Sequence, residues 1–223
     1  MTTSDRVLVD VDVQVDFCEP NGALYVPSSP NDLFRDLISW AVKKDVPILG
    51  SVDSHAYDAW EFASSKSLGP NGQKPNFPDH CVKGTPGWLK VSGTLPSRFR
   101  FIPNVPNLSI GNFVGELLRG ETQGFYFEKE VYSFFANPIA DHFLQAYTSM
   151  LAHAPEFFVF GVATDYCVKA AALGLAERGY KTALLVDAIA GITPQGTQAA
   201  LNEMERAGVR ITTTTELLAG ASA

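Results

Sequence analysis

The sequence predicts a three-layer, Rossmann-like α/β domain, with a central sheet of six mostly parallel strands flanked by helices. Two observations carry that expectation. Short apolar runs alternate with stretches of helical spacing along most of the 223 residues, the pattern of repeated βαβ units. Apolar residues make up 46% of the chain and charged residues 18%, enough for one substantial core and too apolar for a disordered chain. No linker divides it, so residues 1–223 are expected to form a single domain.

Residues 7–13 read as the first strand. Ser29, Pro30 and Asp32 then mark a helix start: an N-cap, a proline at the first helical position and an acid in the first turn. Leu33, Phe34, Leu37, Ile38 and Ala41 share one face of the helix that follows. A second strand at 47–52 ends at Asp53. Residues 54–118 are rich in Gly, Pro, Ser and Asn and read as a long loop-rich insertion, an active-site cover or an assembly arm. Alternation resumes with a strand at 125–129, a helix from 138 to about 153 that includes His153, and a strand at 156–162. A helix from about 167 to 178 is stopped by Gly179, and 182–187 form another strand. Thr193 caps the next helix, with Pro194 at its first position and Gly208 beyond its end, and 209–213 close the sheet.

Composition narrows the function classes. A net charge of −7 speaks against nucleic-acid partners and an anionic membrane surface. No run approaches the roughly 18 apolar residues of a membrane span, and residues 1–10 lack the pattern of a signal peptide. Three scattered cysteines, Cys18, Cys81 and Cys167, do not make a disulfide framework. A cytoplasmic protein is expected.

Open parallel sheets place their sites at the carboxyl ends of the strands. Asp12, Asp53, Lys129 and residues 161–167 all fall at such ends, so separate stretches converge on one edge. Cys167 follows Gly161-Val162-Ala163-Thr164-Asp165-Tyr166 and opens an amphipathic helix, where the macrodipole lowers a thiol pKa and favours thiolate. Amides in the same turn could form an oxyanion hole. A buried structural cysteine is the other reading, and it suits Cys18 and Cys81. Asp12 can accept the thiol proton and return it to a leaving amine; a turn-capping aspartate fits equally. Lys129 could hold Asp12 ionised, or be a solvated lysine. Asp53 and His55 in Asp53-Ser54-His55, together with His80, form a donor set suited to Zn²⁺, Fe²⁺ or Mn²⁺. Asp-x-His alone is a weak signal.

These pieces, in order, resemble the nicotinamidase/pyrazinamidase branch of the isochorismatase-like cysteine hydrolases, over about residues 7–213. The most specific are Asp12-Val13-Gln14-Val15-Asp16-Phe17-Cys18, Asp53-Ser54-His55, His80-Cys81-Val82-Lys83-Gly84-Thr85-Pro86-Gly87 and Gly161-Val162-Ala163-Thr164-Asp165-Tyr166-Cys167-Val168. The resemblance implies a catalytic triad of Asp12, Lys129 and Cys167. It also implies a cis peptide between Val162 and Ala163, with the Ala163 and Cys167 amides facing an oxyanion. Asp53, His55 and His80 would ligate one divalent metal, zinc first, with iron or manganese as alternatives. Phe17 and Phe77, joined by Tyr132, would pack on the substrate ring. The implied reaction is hydrolysis of nicotinamide to nicotinate and ammonia through a cysteine thioester.

Three features depart from the pattern. Glu61 stands where many nicotinamidases carry a second histidine six residues after the first, as a ligand or a surface bystander. The segment between His80 and Lys129 is longer than in compact bacterial relatives. Asp10 interrupts an apolar strand, either pairing with a lysine or facing outward. Rival readings are a related cysteine hydrolase of another small amide or carbamoyl compound, such as maleamate or N-carbamoylsarcosine, a vinyl-ether-cleaving isochorismatase, and a catalytically silent scaffold. The expected partner is a small-molecule amide, with neither nucleic acid nor membrane, and the fold admits a homo-oligomer.

Overall fold

A computed structural model describes residues 5–106 and 108–220. Its strands are β1 (Arg6–Val11), β2 (Ile48–Asp53), β3 (Phe99–Ile102), β4 (Gly124–Lys129), β5 (Glu156–Val162), β6 (Lys181–Ala190) and β7 (Arg210–Thr212). They form one seven-stranded sheet in the order β3-β4-β2-β1-β5-β6-β7, and every pairing is parallel. The helices are α1 (Val15–Cys18), α2 (Asn31–Lys43), α3 (Gly111–Leu118), α4 (Ala140–Ser149), α5 (Lys169–Glu177), α6 (Pro194–Arg206) and α7 (Thr214–Ala219). None is long and apolar enough to cross a membrane.

Side-chain alternation along each strand splits the core into two layers. Val7, Val9 and Val11 of β1 join Phe125, Phe127, Phe157 and Val159 under α3, α4, α5 and α6. Leu8 joins Tyr126, Phe158 and Phe160 under α1, α2 and α7. Strands covered on both faces carry near-continuous apolar runs, which is why the central ones were legible in sequence.

The seventh strand corrects the expected six. β3 lies within the stretch read as loops, as does α3. Its residues are Phe99-Arg100-Phe101-Ile102, and only Ile102 is fully buried, so this short edge strand shows no apolar run. Other boundaries shift. The second helix starts at Asn31 with Pro30 as its cap residue, and the Ser29 hydroxyl donates to the Val26 carbonyl instead of capping. α4 ends at Ser149, so His153 lies exposed in the following loop, not on a helix. Thr193 caps α6 as expected, accepting from the Gly196 N–H at 3.0 Å.

Asp10 pairs with a lysine. Residues 89–91 strap antiparallel across the end of β1, with Val15 N–H to the Leu89 carbonyl and Val91 N–H to the Val13 carbonyl. Lys90 thereby reaches Asp10 at 2.6 Å inside the core, 5.1 Å over the Tyr126 ring. Burial raises the Asp10 pKa even though Lys90 opposes it. Lys90→Met should cost about 3–5 kcal/mol in denaturant unfolding, because it leaves a buried carboxylate alone. Adding Asp10→Leu should recover most of that loss. A single variant as stable as the parent would show that the pair contributes nothing.

Candidate active site

Four neighbouring strands deliver the site. In the order β4-β2-β1-β5, their carboxyl ends carry Lys129, Asp53, Asp12 and the turn to Cys167. Asp12 leaves β1 in the left-handed region, at φ 50°. Gly161 has φ 122°, and a Cβ there would lie 2.0 Å from the Val11 carbonyl oxygen, so only glycine lets β5 press this closely on β1. The Val162–Ala163 peptide is cis, as the resemblance implies. A π-helical turn, Thr164–Val168, then places Cys167 just ahead of α5; such turns recur at functional sites.

Asp12, Lys129 and Cys167 are brought together. Lys129 is fully buried, and its Nζ lies 2.8 Å from Asp12 Oδ2, 3.2 Å from Asp53 Oδ1 and 3.7 Å from Cys167 Sγ. The Ser51 hydroxyl donates to Asp12 Oδ1 at 2.7 Å. Burial opposes the Lys129 ammonium, but the Asp12 and Asp53 carboxylates outweigh it and keep the lysine charged. Burial would likewise raise Asp53, yet Lys129 and hydrogen bonds with His55 and His80 hold it well below the usual carboxylate range.

The surroundings of Cys167 oppose the expected thiolate. Burial pushes the Cys167 thiol well above its ordinary pKa; Lys129 pulls it down, while Asp12 and Asp53 push it further up. Desolvation thus works against the helix terminus.

Asp53, His55 and His80, all buried, place their donor atoms within 4.8 Å of one another. Asp53 Oδ2 is 2.9 Å from His55 Nε2 and 3.3 Å from His80 Nε2. Glu61 Oε1 approaches the same imidazoles, at 3.0 and 3.7 Å. His80 Nδ1 is 2.8 Å from the Pro78 carbonyl. A carbonyl can only accept, so Nδ1 carries a proton, and Nε2, which faces Asp53 and Glu61, is the ring nitrogen a metal would take. Two imidazoles and a buried carboxylate, with a second carboxylate beside them, suit a divalent transition metal. Local pairing explains the convergence: His55 bridges Val82 and Phe62 bridges Phe77 in parallel, drawing His80, Glu61 and Phe77 to the end of β2.

A cleft of about 150 Å³ opens over this cluster. Phe17, Phe77 and Tyr132 line it with Val162, Ala163 and Cys167, and Asp53, Glu61 and His80 form its polar side. Asp12, Lys129 and His55 sit behind that wall. Sequence reasoning missed Tyr166 and Ile192, which also line the cleft. Tyr166 could have been found as the residue before the cysteine; Ile192, from the loop after β6, carries no signal.

The isochorismatase domain profile matches residues 103–216. The nicotinamidase of Escherichia coli is 29% identical, the match covering 93% of this chain and 94% of that one. The nicotinamidase/pyrazinamidase of Mycobacterium tuberculosis is 29% identical, over 92% and 97%. The crystal structure of the pyrazinamidase of Pyrococcus horikoshii in complex with zinc superposes with a TM-score of 0.69 at 27% identity, covering 94% of this chain and 99% of that one.

Proposed function

This chain belongs to the isochorismatase family, and from that premise we propose that it is a metal-dependent nicotinamidase, hydrolysing nicotinamide to nicotinate and ammonia. The observation that carries the reading is the contact of Lys129 with Asp12, Asp53 and Cys167 at once, which joins a nucleophile and base to a metal-type cluster under an aromatic cleft. The relatives' activities and the zinc of the pyrazinamidase support it.

Asp53, His55 and His80 would hold one divalent metal, zinc first, with Glu61 beside them. When bound, the ion supplies Lewis-acid attraction for the ring nitrogen. Phe17, Phe77 and Tyr132 pack on the ring and exclude water. As Cys167 Sγ attacks the amide carbon, Asp12 takes the thiol proton. The Ala163 and Cys167 amides hold the developing oxyanion. Asp12 delivers its proton to the departing ammonia, leaving a thioester. A water then attacks the thioester, giving up a proton to Asp12, and that proton returns to Cys167 as nicotinate leaves. Lys129 stays charged throughout and holds Asp12 in place. The three free cysteines fit a reducing cytoplasm, and a homo-oligomer accords with the fold.

The test is ammonia release from nicotinamide by purified protein, with metal analysis. Release with about one equivalent of bound transition metal is expected. Metal binding without release would transfer the machinery to another small amide or carbamoyl substrate. Asp12→Asn keeps the shape of the base without its proton affinity, and should lower kcat by about 10²–10⁴-fold, the usual worth of a general base. A variant within a few fold of the parent would remove Asp12 from that role.

A further inference from the structure

Asp53 is held by a neutral side chain that the proposed chemistry does not use. β1 stops at Val11, while β2 runs on to Asp53. Their ladder continues until the Asp12 N–H meets the Ser51 carbonyl at 3.2 Å. The next parallel rung would bring the Asp53 N–H to the Asp12 carbonyl. That carbonyl already accepts from the Gln14 N–H at 2.7 Å. The Gln14 side chain supplies the missing rung. Its Oε1 accepts from the Asp53 N–H at 2.7 Å, and its Nε2 donates to the Asp53 carbonyl at 2.8 Å. Nε2 also donates to the Trp88 carbonyl at 2.9 Å. Gln14 is fully buried, where leaving any of these groups unpaired is costly.

On the other side of β2, the Ser54 N–H is held by the Lys129 carbonyl at 2.8 Å. The backbone at the end of β2 is thus fixed from both sides. Its carboxylate must face two ways at once, Oδ1 to Lys129 and Oδ2 to both histidines, so a small rotation would break one set. The bond to Trp88 ties the segment that follows His80 to the same amide.

We propose that Gln14 is the positioning residue for the Asp53 carboxylate, and that through it Gln14 sets the affinity of the Asp53–His55–His80 cluster for a divalent transition metal. The proposal rests on reading that cluster as a metal site. Gln14→Met keeps the length and removes all three bonds; Gln14→Glu keeps the acceptor and loses both donors. Each metal-free variant and the parent are titrated with cobalt(II), whose visible absorption reports ligand geometry, and their melting temperatures are taken with and without the metal. Gln14→Met should bind about 10–100-fold more weakly, with an altered absorption envelope and a smaller metal-induced rise in melting temperature. Gln14→Glu should fall between, and it carries the comparison if the methionine variant does not fold. Parental cobalt affinity and spectrum in the variants would overturn the proposal, as would equal losses of stability with and without metal. No binding by the parent would instead strike the metal site itself, and the proposal with it.

Discussion

Cys167→Ala is expected to lower ammonia release from nicotinamide by on the order of 10⁵–10⁶-fold, while metal content and melting temperature stay close to those of the parent. The size follows from a nucleophile and base that act as a unit, where losing the nucleophile alone removes nearly all of the covalent route. Fold and metal should survive because the sulfur sits beside the ion cluster without belonging to it. The thiol's environment adds a second expected result. Burial, Asp12 and Asp53 raise its pKa against the pull of Lys129, so little thiolate is expected in advance. The sulfur becomes nucleophilic as its proton moves to Asp12. Iodoacetamide should therefore alkylate Cys167 slowly at neutral pH, with a rate that keeps climbing above pH 9. Rapid labelling at pH 7 would show a preformed thiolate, and residual turnover in the alanine variant would take the nucleophile out of the scheme.

Much of this site was legible because its charged members end apolar strands. Asp12, Asp53 and Lys129 each close a run that local pattern identifies as buried, and a parallel sheet gathers such ends on one edge. The metal donors were legible as residue types, although their convergence depends on the short bridges His55–Val82 and Phe62–Phe77, which no periodicity announces. The burial of the Cys167 thiol was not legible for a related reason. A helix start can be read from sequence, whereas the desolvation that opposes it depends on what covers the sulfur. Gln14 was invisible because a neutral amide after a strand resembles any turn residue; its role appears only once the Asp12 carbonyl is seen to be occupied. Lys90 needed the strap of residues 89–91 to bring it to Asp10. β3 escaped because its residues 99–101 keep part of their surface in solvent, leaving no buried run to detect.

Lys129→Met should damage both chemistry and fold, more severely than the loss of either carboxylate it touches. The lysine is the one cation within 3.2 Å of both Asp12 and Asp53 among the described ion pairs. Removing it leaves the buried Asp12 without its cation and Asp53 with the two imidazoles alone, and breaking a buried pair on one side costs about 3–5 kcal/mol. Catalysis should fall at least as far as with Asp12→Asn, because the base loses its counter-ion and the metal carboxylate its anchor together. The stability loss has a sign that can be tested in protein freed of metal by a chelator. In the parent, Asp53 lies below the usual carboxylate range despite its burial, chiefly through Lys129. A lowered folded-state pKa contributes stability that is present above the unfolded-state value, about 3.9, and is lost as pH falls below it. Without Lys129, burial pushes that carboxyl up against the His55 and His80 contacts alone, so less of that stability is present. The difference between parent and variant should therefore be full near pH 7–8 and shrink as pH approaches 4. Saturating metal at pH 7 should return part of the lost stability, since the ion replaces one of the missing positive charges beside Asp53. Urea unfolding at both pH values, with and without metal, measures all three quantities; a pH-independent loss that metal does not touch would mean that Lys129 acts by packing alone.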